Sequence, residues 1–193
     1  SGVVNPSLNG VTWGGSRFVA VGDAGTILTN ADGLSWSPVA SSPTTEHLLD
    51  IAWSGTRFVA VGTGGTILTS SDGATWTAQT VGNAHLYGVA WTGRQFRAVG
   101  AAGTVLTSTD GGSWTSATSG SVDWHGVAWS GDRLVLVGAS DMVLSSLSAW
   151  GEYSPLNPTF WGLVGLPAQP FTSTIAGVFG DDGLGTYGTD WRV

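Results

Sequence analysis

The residues of this chain with reactive chemistry to offer are few. Three histidines (His47, His85, His125), two glutamates (Glu46, Glu152), three tyrosines (Tyr87, Tyr153, Tyr187) and six arginines stand among 31 glycines and 11 tryptophans. Glycoside cleavage needs a carboxylate pair flanking the bond, and spacing singles out none. There is no Gly-x-Ser-x-Gly elbow and no ordered Ser, His and Asp set. The histidines are too scattered for a metal motif. Without cysteine there is no thiolate ligand, thiol nucleophile or disulfide. Segments such as Gly22-Asp23-Ala24-Gly25 read as turns, because a phosphate loop must open a helix. Asp181 and Asp182 could contribute to a weak calcium site, but two adjacent carboxylates are too few to establish one. The expectation is a non-enzyme without metal or cofactor, whose chemistry is that of contact.

The elements that position these residues repeat along the chain. Residues 11–36, 51–76, 89–114 and 127–150 are copies of one unit, the last shorter and lacking its Asp-Gly. Trp13, Trp53, Trp91 and Trp129 open the units, with a period of roughly 40 residues. Each unit holds four short apolar runs separated by turn residues. Asp-Gly between two such runs marks a hairpin, since glycine accepts positive φ without a steric cost. A period of this length made of four strands is one blade of a β-propeller.

The closing tryptophans Trp36, Trp76 and Trp114 precede the next opening ones, Trp53, Trp91 and Trp129, by a nearly constant interval. The interval from Trp76 to Trp91, counted on from Trp150, lands on Gly165. The run Phe160-Trp161-Gly162-Leu163-Val164-Gly165 is therefore expected to open a fifth unit that ends at Trp191. From Trp191 through the termini to Trp13 the same interval recurs. The fold expected is all-β: a single domain over residues 1–193, a five-bladed β-propeller of four-stranded antiparallel blades. Its repeats fall near 7–46, 47–84, 85–122, 123–158 and 159–193, and residues 1–6 join the last blade as a strand.

Residues that break the repeat are available for other work. Four positions before the opening tryptophan the units carry Asn9, Leu49, Tyr87, His125 and Trp161. One position earlier they carry Leu8, Leu48, Leu86, Trp124 and Phe160. These positions lie where the connection between blades reaches the mouth of the central channel. Tyr87, His125 and Trp161, with Trp124 and Asn9, are the candidate ligand-binding residues, because aromatic faces beside a few polar groups suit a sugar or an inserted side chain. Arg97 replaces a valine of the second strand and Asp50 replaces a glycine of the first. An Asp50–Arg97 ion pair between units two and three is expected, since a charge there must be paired or reach solvent. Leu166-Pro167-Ala168-Gln169-Pro170-Phe171 reads as a contact loop.

The run Ser70-Ser71-Asp72-Gly73-Ala74-Thr75-Trp76, with copies from Thr29 to Trp36 and from Thr107 to Trp114, resembles the Asp-box of BNR-type propellers. The preceding Phe-Val-Ala-Val-Gly run is similar to bacterial repeats of that class, among them sialidase-like and photosystem II assembly-factor propellers. One residue fewer separates Asp from Trp than in the common form. The resemblance implies a structural turn in which Asp32, Asp72 and Asp110 accept backbone N–H groups and Trp36, Trp76 and Trp114 cover them. A sialidase would also need convergent arginines. Arg17, Arg57 and Arg133 instead share one repeat position and would ring the propeller.

Composition narrows the partners. The net charge of −7 and the absence of lysine oppose nucleic acid and anionic membranes, which need a basic patch. No apolar run approaches the roughly 20 residues that span a bilayer. A Ser/Thr/Gly-rich chain that begins at Ser1 reads as a trimmed, exported product, extracellular or periplasmic. Two functions are expected: a binding module for a glycan or protein through one propeller face, or a self-assembling subunit of a filament or surface layer that donates its N-terminal strand.

Overall fold

The computed structural model describes residues 6–32, 34–147 and 161–165. They form four antiparallel four-stranded sheets, each a simple meander. Sheet one holds β1 (Leu8–Trp13), β2 (Phe18–Gly22), β3 (Ile27–Asn30) and β4 (Ser37–Pro38). Sheet two holds β5 (Leu48–Trp53), β6 (Phe58–Gly62), β7 (Thr66–Ser70) and β8 (Thr77–Thr80). Sheet three holds β9 (Leu86–Trp91), β10 (Phe96–Gly100), β11 (Thr104–Ser108) and β12 (Thr115–Thr118). Sheet four holds β13 (Trp124–Trp129), β14 (Arg133–Gly138), β15 (Met142–Leu147) and β16 (Trp161–Gly165).

The second strands of sheets one to three are buried on both faces, which is why β2 and β6 read as unbroken apolar runs rather than alternating ones, and β10 does so apart from Arg97. The outermost strands β8 and β12 are Thr, Ala, Ser and Gln, as an exposed edge requires, and β4 carries Pro38, which an edge tolerates. The first strands stand side by side, β1 against β5, β5 against β9 and β9 against β13. Small residues permit this approach: a Cβ on Gly88 would stand 3.3 Å from the Gly126 Cα.

The sheets stack in one sense. Val19, Val21 and Ile27 on the forward face of sheet one bury themselves against Leu48, Ile51, Phe58, Ala60, Leu68 and Trp76 on the rear face of sheet two. Val59, Val61 and Ile67 do the same against Leu86, Val89, Phe96, Ala98 and Leu106. Val99 and Val105 meet Trp124, Leu134, Leu136 and Leu144. The core is thus a series of equivalent layers between neighbouring wedges.

One expectation is corrected. Residues 161–165 do not open a new sheet; they pair antiparallel with β15 as the outer strand of sheet four, Met142 opposite Gly165 and Ser146 opposite Trp161. An apolar run punctuated by glycine serves an inner or an outer strand equally, and the closing signal that would have distinguished them is missing from the fourth unit. Residues 1–5, Asp181, Asp182 and the contact loop at 166–171 lie outside the described residues.

Candidate functional site

Each first strand has a bulge at the same place. In sheet three Leu86 faces Gly100 and Gly88 faces Val99, so Tyr87 is the extra residue. By the same register shift Asn9, Leu49 and His125 are extra in β1, β5 and β13. A bulge removes a residue from the ladder and re-aims its side chain. This explains why the position four before the opening tryptophan varies while its neighbours repeat.

Two of these residues meet across the sheets. The rings of Tyr87 and His125 contact edge to face, with centroids 5.4 Å apart. His85 extends the row, its ring 6.3 Å from that of Tyr87. His85 and His125 are exposed and Tyr87 is half-buried. The three form an aromatic ledge running from sheet three to sheet four.

The ledge is held by a second repeated contact that the sequence reading missed. The residue six before the opening tryptophan reaches back to the turn that follows the second strand of the preceding sheet. His47 Nδ1 lies 3.1 Å from the Asp23 carboxylate. His85 Nδ1 accepts the Gly64 N–H at 3.1 Å. Asp123 Oδ1 accepts the Ala102 N–H at 2.8 Å. The backbone is pinned at the same point, since the His85 carbonyl accepts the Ala101 N–H at 2.9 Å. A Cβ on Gly100 would overlap that carbonyl oxygen, so the strand end must be glycine. The only signal in the sequence was a shared offset carrying His, His and Asp.

Among the described residues the turn arginines gather at one end of the sheets, with Asp32, Asp72, Asp110 and Asp132, while the other end carries carboxylates alone. At the ledge end stand Asp23, Glu46, Asp123 and Asp141. Among the described residues Arg17, Arg57, Arg94 and Arg133 lie at the opposite end, around the turns that follow the first strands, and Arg97 lies within β10. Glu46 accepts the Thr63 hydroxyl. The Asn9 side chain, donating to Asp23, together with His47 holds the Asp23 carboxyl below its usual range against a small desolvation effect. Among the described residues no three metal-ligating side chains converge.

The turns between the third and fourth strands are built locally. Asp72 Oδ1 accepts the N–H groups of Ala74 and Thr75, both at 2.8 Å, and the Trp76 indole N–H donates to the Gly73 carbonyl at 3.1 Å. Asp110 with Gly112 and Ser113, and Trp114 with Gly111, repeat the arrangement. Asp32 accepts from Leu34 and Ser35, and Trp36 packs near Phe18, with ring centroids 6.5 Å apart.

Solved structures share this architecture. YCF48 from Cyanidioschyzon merolae superposes with a TM-score of 0.63 at 16% identity, covering 86% of this chain and 58% of that chain. The RRP9 WD40 repeats give 0.59 at 16% identity, covering 73% of this chain and 48% of theirs. U3-55K gives 0.59 at 16%, covering 74% and 49%. The chain has a propeller-type repeat fold. It spans about half the length of these propellers. No protein-family model matches it, and no curated protein matches it in sequence.

In this propeller arrangement the remaining candidates take other places. Asn9 is not part of the ledge: its amide donates to the Leu48 carbonyl at 2.9 Å and to Asp23 at 3.1 Å, tying sheet one to sheet two. Trp124 is core, 1% exposed between sheets three and four, with its indole N–H on the Ser119 carbonyl. Trp161 belongs to the outer strand β16, remote in the meander from the first strand that carries His125. The Asp50–Arg97 ion pair does not form. Asp50 accepts the Ile51 N–H with Oδ1 and the Val89 N–H of the neighbouring sheet with Oδ2, both at 2.8 Å. Burial pushes its carboxyl above the usual range, opposed by these two donors. Arg97 donates from Nη1 to Thr107 Oγ1 at 2.7 Å, across its own sheet. Arg97 occupies the register of Val19 and Val59, the forward face, and so points away from sheet two.

Proposed function

We propose that this propeller is a non-enzymatic binding module that grips a basic segment of a protein partner on the ledge of His85, Tyr87 and His125. The observation that carries the reading is the coincidence of bulge and variability. The residue re-aimed by each bulge is the one that differs between sheets, and two of these residues form one aromatic surface. A lysine or arginine side chain is attracted to a tyrosine face. The carboxylates Asp23, Glu46, Asp123 and Asp141 stand at the same end of the sheets as the ledge, the end that lacks the arginines of the turns. The similarity to propeller repeats supports a protein-contact role for one face. On the same reading the Asp-Gly turns are relatives of the Asp-box, and the composition suits a secreted protein.

Binding of the purified chain to an array of basic and acidic peptides, with a glycan array beside it, tests the reading. Basic peptides are expected to bind, and Tyr87→Ala or His125→Ala to weaken them about tenfold or more while the melting temperature holds. Glycan binding lost in the same variants would replace the ligand class. Basic-peptide binding indifferent to both variants would reject the ledge.

A further inference from the structure

The residue six before the opening tryptophan meets the turn of the preceding sheet in two chemical modes. Between sheets two and three His85 Nδ1 accepts the Gly64 N–H at 3.1 Å. Between sheets three and four Asp123 Oδ1 accepts the Ala102 N–H at 2.8 Å. Gly64 and Ala102 are the same left-handed residue of the turn, at φ 61° and 52°. Between sheets one and two His47 Nδ1 faces the Asp23 carboxylate at 3.1 Å instead. A carboxylate accepts hydrogen bonds whenever it is ionised. An imidazole nitrogen accepts one only while it carries no proton, and both ring nitrogens of a charged histidine are donors. The Gly64 N–H therefore holds His85 as the neutral tautomer with its proton on Nε2.

We propose that His85 is an acid-release element of the ledge: the basic segment bound there is let go when the His85 imidazole takes up a second proton, a step that rests on the ledge reading above. Protonation sets a hydrogen on Nδ1 against the hydrogen of the Gly64 N–H. The two repel, the ring leaves the turn, and the ledge loses the member that extends it beyond Tyr87. The imidazolium also repels a basic side chain lying on the tyrosine. Imidazole makes this change between about pH 5 and pH 8. The other two boundaries are controls within the same molecule. A charged His47 is drawn more strongly to Asp23, and carboxylates such as Asp123 stay ionised over that range. The titratable groups around His85 are Tyr87 on its own strand, Glu46 before β5, and Asp123 and His125 in the next sheet. A Cβ on Gly64 would stand 3.7 Å from Glu46 Oε2, and that carboxylate accepts the Thr63 hydroxyl. Among the described residues no backbone N–H donates to the His125 ring, so charging it adds repulsion but breaks no contact between sheets.

Nitrogen-15 NMR of the free chain tests the switch without a ligand. From pH 8 to pH 5 the Gly64 amide resonance is expected to move in step with the His85 ring while the Ala102 amide stays in place. A Gly64 amide that holds its position while His85 charges overturns the proposal. Hexa-arginine, whose own charge is constant over this range, tests the release. Its affinity for the full chain is expected to fall about tenfold or more between pH 7.5 and pH 5.5. His85→Asp copies Asp123 and supplies an acceptor that does not titrate there. In that variant the fall is expected to shrink to about threefold or less, the part due to His125. A fall in His85→Asp as large as in the parent overturns the assignment to His85. No binding by the parent at pH 7.5 rejects the ledge as a site for a basic segment, and release with it, while the Gly64 resonance still decides whether His85 switches.

Discussion

Asp50 crosses from sheet two to sheet three, its Oδ2 accepting the backbone N–H of Val89 at 2.8 Å. The other first strands have Gly10, Gly88 and Gly126 here. A buried carboxylate thus takes the place of a missing side chain and binds two strands at once. Its carboxyl is raised by burial. Folding therefore favours protonation relative to the unfolded chain, and the stability linked to it is complete below the ordinary value near 3.8 and is lost as pH rises through the raised value. Asp50→Asn removes the titration and keeps an acceptor. The melting temperature of Asp50→Asn relative to the parent should rise as pH climbs above 3.8; a constant difference would show that Asp50 does not titrate in this way.

The turn carboxylates behave oppositely. Asp72 is lowered to about 2 by the N–H groups of Thr75 and Ala74. Its stabilisation is present above the ordinary value of 3.8 and disappears as pH falls through about 2. The carboxylate is exposed, so water screens it and the effect is on the order of 1 kcal/mol. Urea denaturation of Asp72→Ala should show that loss at pH 7 and little of it near pH 2. Equal losses at both would point to packing rather than charge.

Gly100→Ala places a methyl group on the His85 carbonyl. A destabilisation of about 1–3 kcal/mol is expected, with the amide resonance of Gly64 shifting as His85 withdraws. An unchanged Gly64 resonance would mean that the His85 contact does not depend on the close approach.

The turn after the second strand puts a left-handed residue at Ala24 and Ala102, both at φ 52°, and at Gly64, φ 61°. Alanine in that region is strained by about 1 kcal/mol or more. Ala102→Gly should therefore leave stability unchanged or raise it, while Gly64→Ala should lower it by about 1 kcal/mol. Chemical denaturation of the two variants decides, and loss in Ala102→Gly would contradict the assigned turn geometry.

Much of the architecture was legible because sheets one to three follow one spacing, and the turn chemistry of each hairpin is written in the residues themselves. The fourth unit was harder: without its Asp-Gly nothing separates an outer strand from a new inner one, and Trp161 was misplaced for that reason. Tyr87 and His125 could be found as deviations from a repeat. Their mutual contact could not, since it depends on how a bulge turns a side chain. The Asp50–Arg97 expectation rested on charge alone. Which of two sheet faces a strand residue occupies is decided by register, and the register sends Arg97 to Thr107 while Asp50 finds backbone donors.

The one-way stacking also bears on how such a chain can grow. Because every boundary is made by the same two kinds of surface, a cassette of about 40 residues copied in frame would meet partners on either side that already accept it. Duplicating or deleting a cassette would still leave the same two kinds of surface facing each other at each remaining boundary between described sheets. Each copy brings its own bulged residue, so the row beginning with Asn9, Leu49, Tyr87 and His125 can diversify one side chain at a time while the packing around it stays under a common constraint.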